Sequence, residues 1–117
     1  MPVELVEDGE ELIVDLLVTS TYKYIDTGTG TTAPTKADTG LQTPTGEART
    51  TGVQSEGTSA SIYKLVGTDT YAGTFAITEC GVFNAATVGI LFIRGTFAAI
   101  NVVSGDGIEL TINLEIQ

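Results

Sequence analysis

The segment GIELTINLEIQ, Gly107 to Gln117, constrains the fold most, because Ile108, Leu110, Ile112, Leu114 and Ile116 alternate with Glu109, Thr111, Asn113 and Glu115. Side chains of an extended strand point to opposite faces in turn, so the pattern describes a strand with one dry face and one wet face. Such a strand must lay its apolar row on a core, and an antiparallel sheet facing a second layer supplies one. Upstream, SASIYKLVG, YAGTFAITECGVF and GILFIRGTF are further short runs rich in β-branched and aromatic residues. Turn residues at Phe83–Thr87 and Ser104–Gly107 separate them. Residues 58–117 therefore read as antiparallel strands, and the expected fold class is mainly β: an antiparallel β-sandwich or small barrel with a short N-terminal helix.

The remainder is less regular. In ELVEDGEELIVDLLV (Glu4 to Val18) the apolar Leu5, Leu12, Ile13, Leu16 and Leu17 fall near helical spacing, with Glu7, Glu10, Glu11 and Asp15 between them. Residues 1–20 thus read as an amphipathic helix weakened by Gly9, with a strand as the alternative for Leu12–Val18. Residues 27–57, rich in Thr and Gly and holding Pro34 and Pro44, read as a long surface loop. A chain of 117 residues and 12.2 kDa is expected to form a single domain, 1–117.

Five basic against fifteen acidic residues give a net charge of -10. That sign disfavours a phosphate backbone or an anionic bilayer, so no nucleic acid and no membrane partner is expected. The acidic start MPVELVEDGEE does not resemble a secretory signal. The single Cys80 has no intrachain disulfide partner and is expected as a small buried thiol in a strand.

Two motifs raise the question of chemistry. Asp-Thr-Gly occurs at Asp26 and again at Asp38, the triplet that carries the catalytic carboxylate of aspartic proteases. Copies twelve residues apart cannot serve as two lobes of one dyad, so only one could act, as in a retroviral-type homodimer. Turn chemistry is the preferred reading. Gly28-Thr29-Gly30-Thr31-Thr32-Ala33 matches a dinucleotide fingerprint in form, but Pro34 follows where the phosphate-binding helix should begin. The absence of His removes Ser-His and Cys-His pairs and imidazole ligands. Glu7, Asp8, Glu10 and Glu11 lack the spacing of a calcium loop and read as a solvated acidic face. No catalytic, cofactor-binding or metal-binding residue is assigned.

From Ile77 the chain runs ITECGVFNAATVGILFIRGTFAAINVVSGDGIELTINLEIQ, and earlier it reads YIDTGTGTTAPTKADTGLQT. These segments resemble the small structural proteins of tailed bacteriophages or related archaeal viruses, in which Gly-Thr-Gly, Thr-Ala-Pro and Asp-Thr-x-Leu recur in a loop and Ile-Thr-Glu-x-Gly and Phe-Asn-Ala recur in the C-terminal half. Val82 and Gln42 depart from the pattern, standing where Leu and an acid are usual. The resemblance makes Asp26 and Asp38 loop residues rather than catalytic ones. It also implies a non-enzymatic virion component that acts as a homo-oligomer on a major capsid protein or on tail proteins. A capsid decoration or turret protein is the first expectation, and a tail-fibre, tail-tip or baseplate module the second. The aspartic protease and a carbohydrate-binding sandwich are the rivals outside that class. Arg94, in an otherwise apolar strand, is assigned to the surface, with an ion pair to Glu79 as the alternative.

Overall fold

A computed structural model describes all 117 residues. The elements, in chain order, are α1 (Glu7–Val18), β1 (Tyr24–Gly28), β2 (Thr50–Thr51), β3 (Val53–Glu56), β4 (Ile62–Thr70), β5 (Phe75–Phe83), β6 (Leu91–Val102) and β7 (Gly107–Glu115). They make two antiparallel sheets, of order β2-β1-β5-β6 and β3-β4-β7. The assembly is a sandwich rather than a closed barrel, because β6 and β7, although consecutive, lie in different sheets and share no hydrogen bonds.

Alternation in β7 places its residues as the sequence requires. Ile108 is buried, Leu110, Ile112, Leu114 and Ile116 are half-buried, and the intervening polar side chains are exposed. Val14, Ile25, Tyr63, Leu65 and Val82 form one core cluster, and Tyr71, Ile77, Val102 and Ile108 a second. Leu110 touches both. Val14 anchors α1 on the first cluster, while Leu12 and Leu16 on the same helix remain exposed. Glu7, Asp8 and Glu10 occupy the first turn, where the helix dipole favours carboxylates. The Ser20 hydroxyl donates to the Leu17 carbonyl and helps to close the helix. The helical reading therefore holds for Glu7–Val18 and the strand alternative falls, but residues 1–6 are not helical, and the helix buries Val14 rather than the expected Leu12 and Leu16.

The expectation of loop throughout residues 27–57 is corrected. β1 extends to Gly28, and β2 and β3 occupy Thr50–Glu56. These strands are short, and β1 is buried at every position after Tyr24, so it lacks the alternation that reveals a half-exposed strand. Gly52 is where the chain leaves one sheet for the other. Its N–H donates to the Lys23 carbonyl at 2.7 Å, and a Cβ there would meet Leu65 Cδ1 at 2.6 Å. Only a residue without a side chain lets the corner pack this closely. Between Gly28 and Thr50 the loop is irregular, as its composition suggested, but it lies against β1 and β5.

Candidate functional site

The loop between β1 and β2 folds around one carboxylate. Glu79, on β5 and 0% exposed, accepts the Gly30 N–H (2.8 Å) and the Thr43 N–H (2.8 Å) on Oε2. Its Oε1 accepts the Gln42 N–H at 2.9 Å and Arg94 Nε at 3.0 Å. Thr78 Oγ1 donates to the Gly30 carbonyl at 2.6 Å, so neighbouring side chains of β5 hold both polar groups of Gly30. A Cβ at Gly28 would lie 2.6 Å from Glu79 Oε2, and one at Gly30 would also collide with that oxygen. The Gly-Thr-Gly of the apparent dinucleotide fingerprint is thus an anion cradle filled by the protein's own side chain. Burial works to raise the Glu79 pKa, but the N–H groups of Thr43 and Gln42, with Arg94 and Gly30, outweigh it and hold the carboxyl below its ordinary value.

Arg94 extends this network. Its Nη1 donates to Asp38 Oδ2 at 3.0 Å and its Nη2 to the Thr32 carbonyl at 3.0 Å, and its side chain is 3% exposed. The surface assignment of Arg94 is therefore overturned, and the Glu79 pair is what the structure contains. Fixed, planar donors suit one guanidinium to a strand carboxylate and two loop acceptors together. Asp38, in the second Asp-Thr-Gly, also accepts the Thr35 N–H and hydroxyl, at 2.9 and 3.0 Å. The Thr35 N–H, followed by the Thr35 hydroxyl and Arg94, holds its pKa below the ordinary value despite some burial. Gln42 Oε1 collects the N–H groups of Thr31 and Thr32 and the Thr32 hydroxyl. A carboxylate would fit the same three donors, so the departure from an acid at this position leaves the local geometry intact. Leu41 rests on Gly81, where a Cβ would meet Leu41 Cδ2 at 2.8 Å.

Asp26, in the first Asp-Thr-Gly, belongs to a second constellation. Arg49 Nε approaches Asp26 Oδ2 at 3.4 Å, its guanidinium lies 3.7 Å over the Phe83 ring, and its Nη1 donates to the carbonyls of Ala85 (2.8 Å) and Val88 (2.7 Å). Burial raises the Asp26 pKa, against the Thr27 N–H and Arg49. Behind it, Thr27 Oγ1 donates to buried Asp69 at 2.8 Å and shares a 2.8 Å hydrogen bond with the Tyr71 hydroxyl. Burial raises the pKa of Asp69 and pushes that of Tyr71 up to about 12. An open cleft of about 280 Å3, lined in part by Asp26, Leu41, Arg49 and Phe83, lies over these groups.

Two arginines thus tie down what the sequence showed only as loops: Arg94 the β1–β2 loop and Arg49 the β5–β6 turn. Asp26 and Asp38 sit in different ion pairs and do not form a carboxylate dyad within the chain. Cys80 is a half-buried free thiol whose pKa burial raises, so it packs less deeply than expected. Glu7, Glu10 and Glu11 line an acidic surface hollow with Glu115, and no group of three such side chains converges as metal ligands. Sequence reasoning missed Arg49 and the cradle around Glu79. Compared with known proteins, the chain matches no family model, no curated sequence and no solved structure.

Proposed function

We propose that this protein is a structural component of a virion, a β-sandwich module that attaches by its surface to a capsid shell and repeats there as a homo-oligomer. The observation that supports this reading is the position of the residues carrying the phage-type resemblance. Gly28, Gly30 and Asp38 come from the earlier segment, Thr78, Glu79 and Arg94 from the later one, and all six meet in one network. Residues far apart in the chain that match one pattern and lock one loop to one sheet have a scaffolding role. The charged groups of both constellations are spent on each other, and no buried side-chain polar atom lacks a partner. Meanwhile Leu5, Leu12, Leu16, Val53, Val88 and Ile90 are exposed, as suits attachment through a surface.

Co-sedimentation tests the reading. Purified protein mixed with empty shells, or separately with tails, should pellet with the shells at a fixed stoichiometry. Pelleting with tails alone would select the tail-module reading. Binding to neither, together with peptidase activity lost in Asp26→Asn, would replace both with the protease.

A further inference from the structure

We propose that the free edge of β6 is the surface through which one copy of this chain binds a second. This inference rests on the homo-oligomer reading above and gives it a location. Four strands form sheet edges, and three of them are short or guarded. β2 has two residues, β3 has four and α1 packs beside it, with Gln54 Nε2 donating to the Leu17 carbonyl, and β7 carries the exposed carboxylates of Glu109 and Glu115. β6 has twelve residues, Leu91–Val102, with no Pro, Lys, Asp or Glu among them. Long edges often carry such residues to block strand addition; β6 lacks them, and its one charge, Arg94, is engaged with Glu79 and Asp38 rather than offered to the edge. Register shifts at Phe92 and opposite Phe97–Ala99 interrupt the strand and leave Ile93–Thr96 as its longer regular run.

Charge selects the occupant. The whole stretch from Cys80 to Gly105 lacks Asp and Glu, although the chain holds fifteen of them. Two copies of a chain of net charge -10 repel through most surfaces, but along β6 they can approach without opposing carboxylates. The side chains exposed there are small or apolar, namely Thr96, Ala98, Ala99, Ile100 and Asn101, with Val103 beyond them. Such a surface is compatible with itself. Beside it, where β6 and β7 diverge, an apolar crevice of about 110 Å3 lined by Val82, Ile93, Gly95 and Ile112 leaves this flank of the sandwich incompletely closed. Antiparallel pairing of β6 with its counterpart about a two-fold axis would join two four-stranded sheets and cover that flank.

The test combines sedimentation equilibrium, amide hydrogen exchange and two sets of variants. Ala99→Glu with Ile100→Glu places opposed charges at exposed positions, and should weaken self-association on the order of a hundredfold while thermal unfolding still shows a folded chain. Thr111→Glu, on the exposed face of β7, should leave it unchanged. In the oligomer, β6 amides not bonded to β5 should exchange slowly, and on dilution to monomer they should exchange fast. An oligomer indifferent to Ala99→Glu with Ile100→Glu overturns the β6 surface but leaves the homo-oligomer reading standing. A monomer at all concentrations that still pellets with shells overturns the inference and leaves the virion reading intact. If β6 amides become protected only on shells, a shell protein occupies the edge, which also overturns the second copy as its partner.

Discussion

Glu79 Oε1 and Arg94 Nε are 3.0 Å apart across paired strands, with Glu79 fully buried and the Arg94 side chain 3% exposed. Charges removed from water this completely persist only when their remaining hydrogen-bonding capacity is met, as the backbone donors of Gly30, Gln42 and Thr43 and the acceptors Asp38 and Thr32 do here. Glu79→Ala would leave the buried Nε of Arg94 and three inward N–H groups without their acceptor, with Asp38 and Thr32 still holding the other guanidinium nitrogens. The expected loss is about 3–5 kcal/mol, read from chemical denaturation. Glu79→Gln keeps the shape but turns an NH2 toward donors, so it too should destabilise. Limited proteolysis should then cut first between Thr29 and Arg49. Unchanged stability in Glu79→Gln would show that the cradle does not require the charge.

The β5–β6 turn holds a different kind of strain. Val88 has φ 57°, a left-handed conformation that costs a β-branched residue roughly 1–2 kcal/mol, and its side chain is 84% exposed. Arg49 holds this turn through the Ala85 and Val88 carbonyls. Val88→Gly relieves the strain and loses little burial, against a smaller entropic cost in the unfolded chain. The variant should gain up to about 1 kcal/mol and melt higher by calorimetry. A lower melting temperature would mean that the exposed valine contributes contacts outweighing its backbone strain.

Acidification should first strengthen and then weaken the fold. Burial raises the pKa of Asp26 and of Asp69, so in the folded state these groups take up protons at higher pH than in the unfolded chain. Where the folded state binds more protons, stability rises as pH falls. Below the ordinary carboxylate value of about 4, the order reverses, because the folded state holds Glu79 and Asp38 low and the unfolded chain binds the extra protons. The melting temperature should therefore peak on the acid side of neutrality. Asp69→Asn removes one of the raised groups and should flatten the rise without shifting the later fall. A melting temperature that declines steadily from pH 7 downward would contradict this assignment of signs.

How much of this was visible beforehand depends on whether a residue's role is local. β7 was legible because its alternation is a property of successive residues, and α1 because its apolar spacing is. β1 was not legible as a strand, since it is buried at every position after Tyr24 and holds Asp26 and Gly28, residues that ordinarily signal turns. The Arg94–Glu79 pair could be named, because β5 and β6 were expected to be neighbours, but its burial could not. That burial is produced by the loop carrying Thr32 and Asp38, which lies far from Arg94 in sequence. Gly-Thr-Gly was the one local signal of the cradle. Its glycines matched a phosphate-binding pattern in form only and were read as a turn, because nothing near them showed that the anion they approach is Glu79.

The core register can be checked at one pair of adjacent positions. Leu110 touches both apolar clusters, whereas Thr111 is exposed on the other face of β7. Leu110→Asp should cost at least about 2 kcal/mol, through lost packing and a partly buried charge. Thr111→Asp should stay within about 0.5 kcal/mol of the parent protein. Equal effects from the two would place the strand one residue out of register.

Salt should stabilise this protein, because its charges are unevenly distributed. The region from Glu4 to Asp15 carries Glu4, Glu7, Asp8, Glu10, Glu11 and Asp15 and no basic residue. Glu56 lies within hydrogen-bonding reach of Asp15, which raises the Glu56 pKa ahead of a smaller push from burial. Both arginines are already engaged with Asp26, Asp38 and Glu79, leaving Lys23, Lys36 and Lys64 to offset the remaining carboxylates. Raising ionic strength from about 0.01 M to about 1 M shortens the screening length from roughly 30 Å to roughly 3 Å. Repulsion among exposed carboxylates should then largely vanish, while the buried Glu79–Arg94 pair is screened much less. Calorimetry should show a melting temperature that rises with sodium chloride, and sedimentation a growing oligomer fraction as copies shed mutual repulsion. Lys64→Glu should steepen the salt dependence by adding an unpaired acid. If stability fell as salt rose, attractive surface pairs would dominate over repulsion, and the helix carboxylates would have to be balanced by contacts with those lysines.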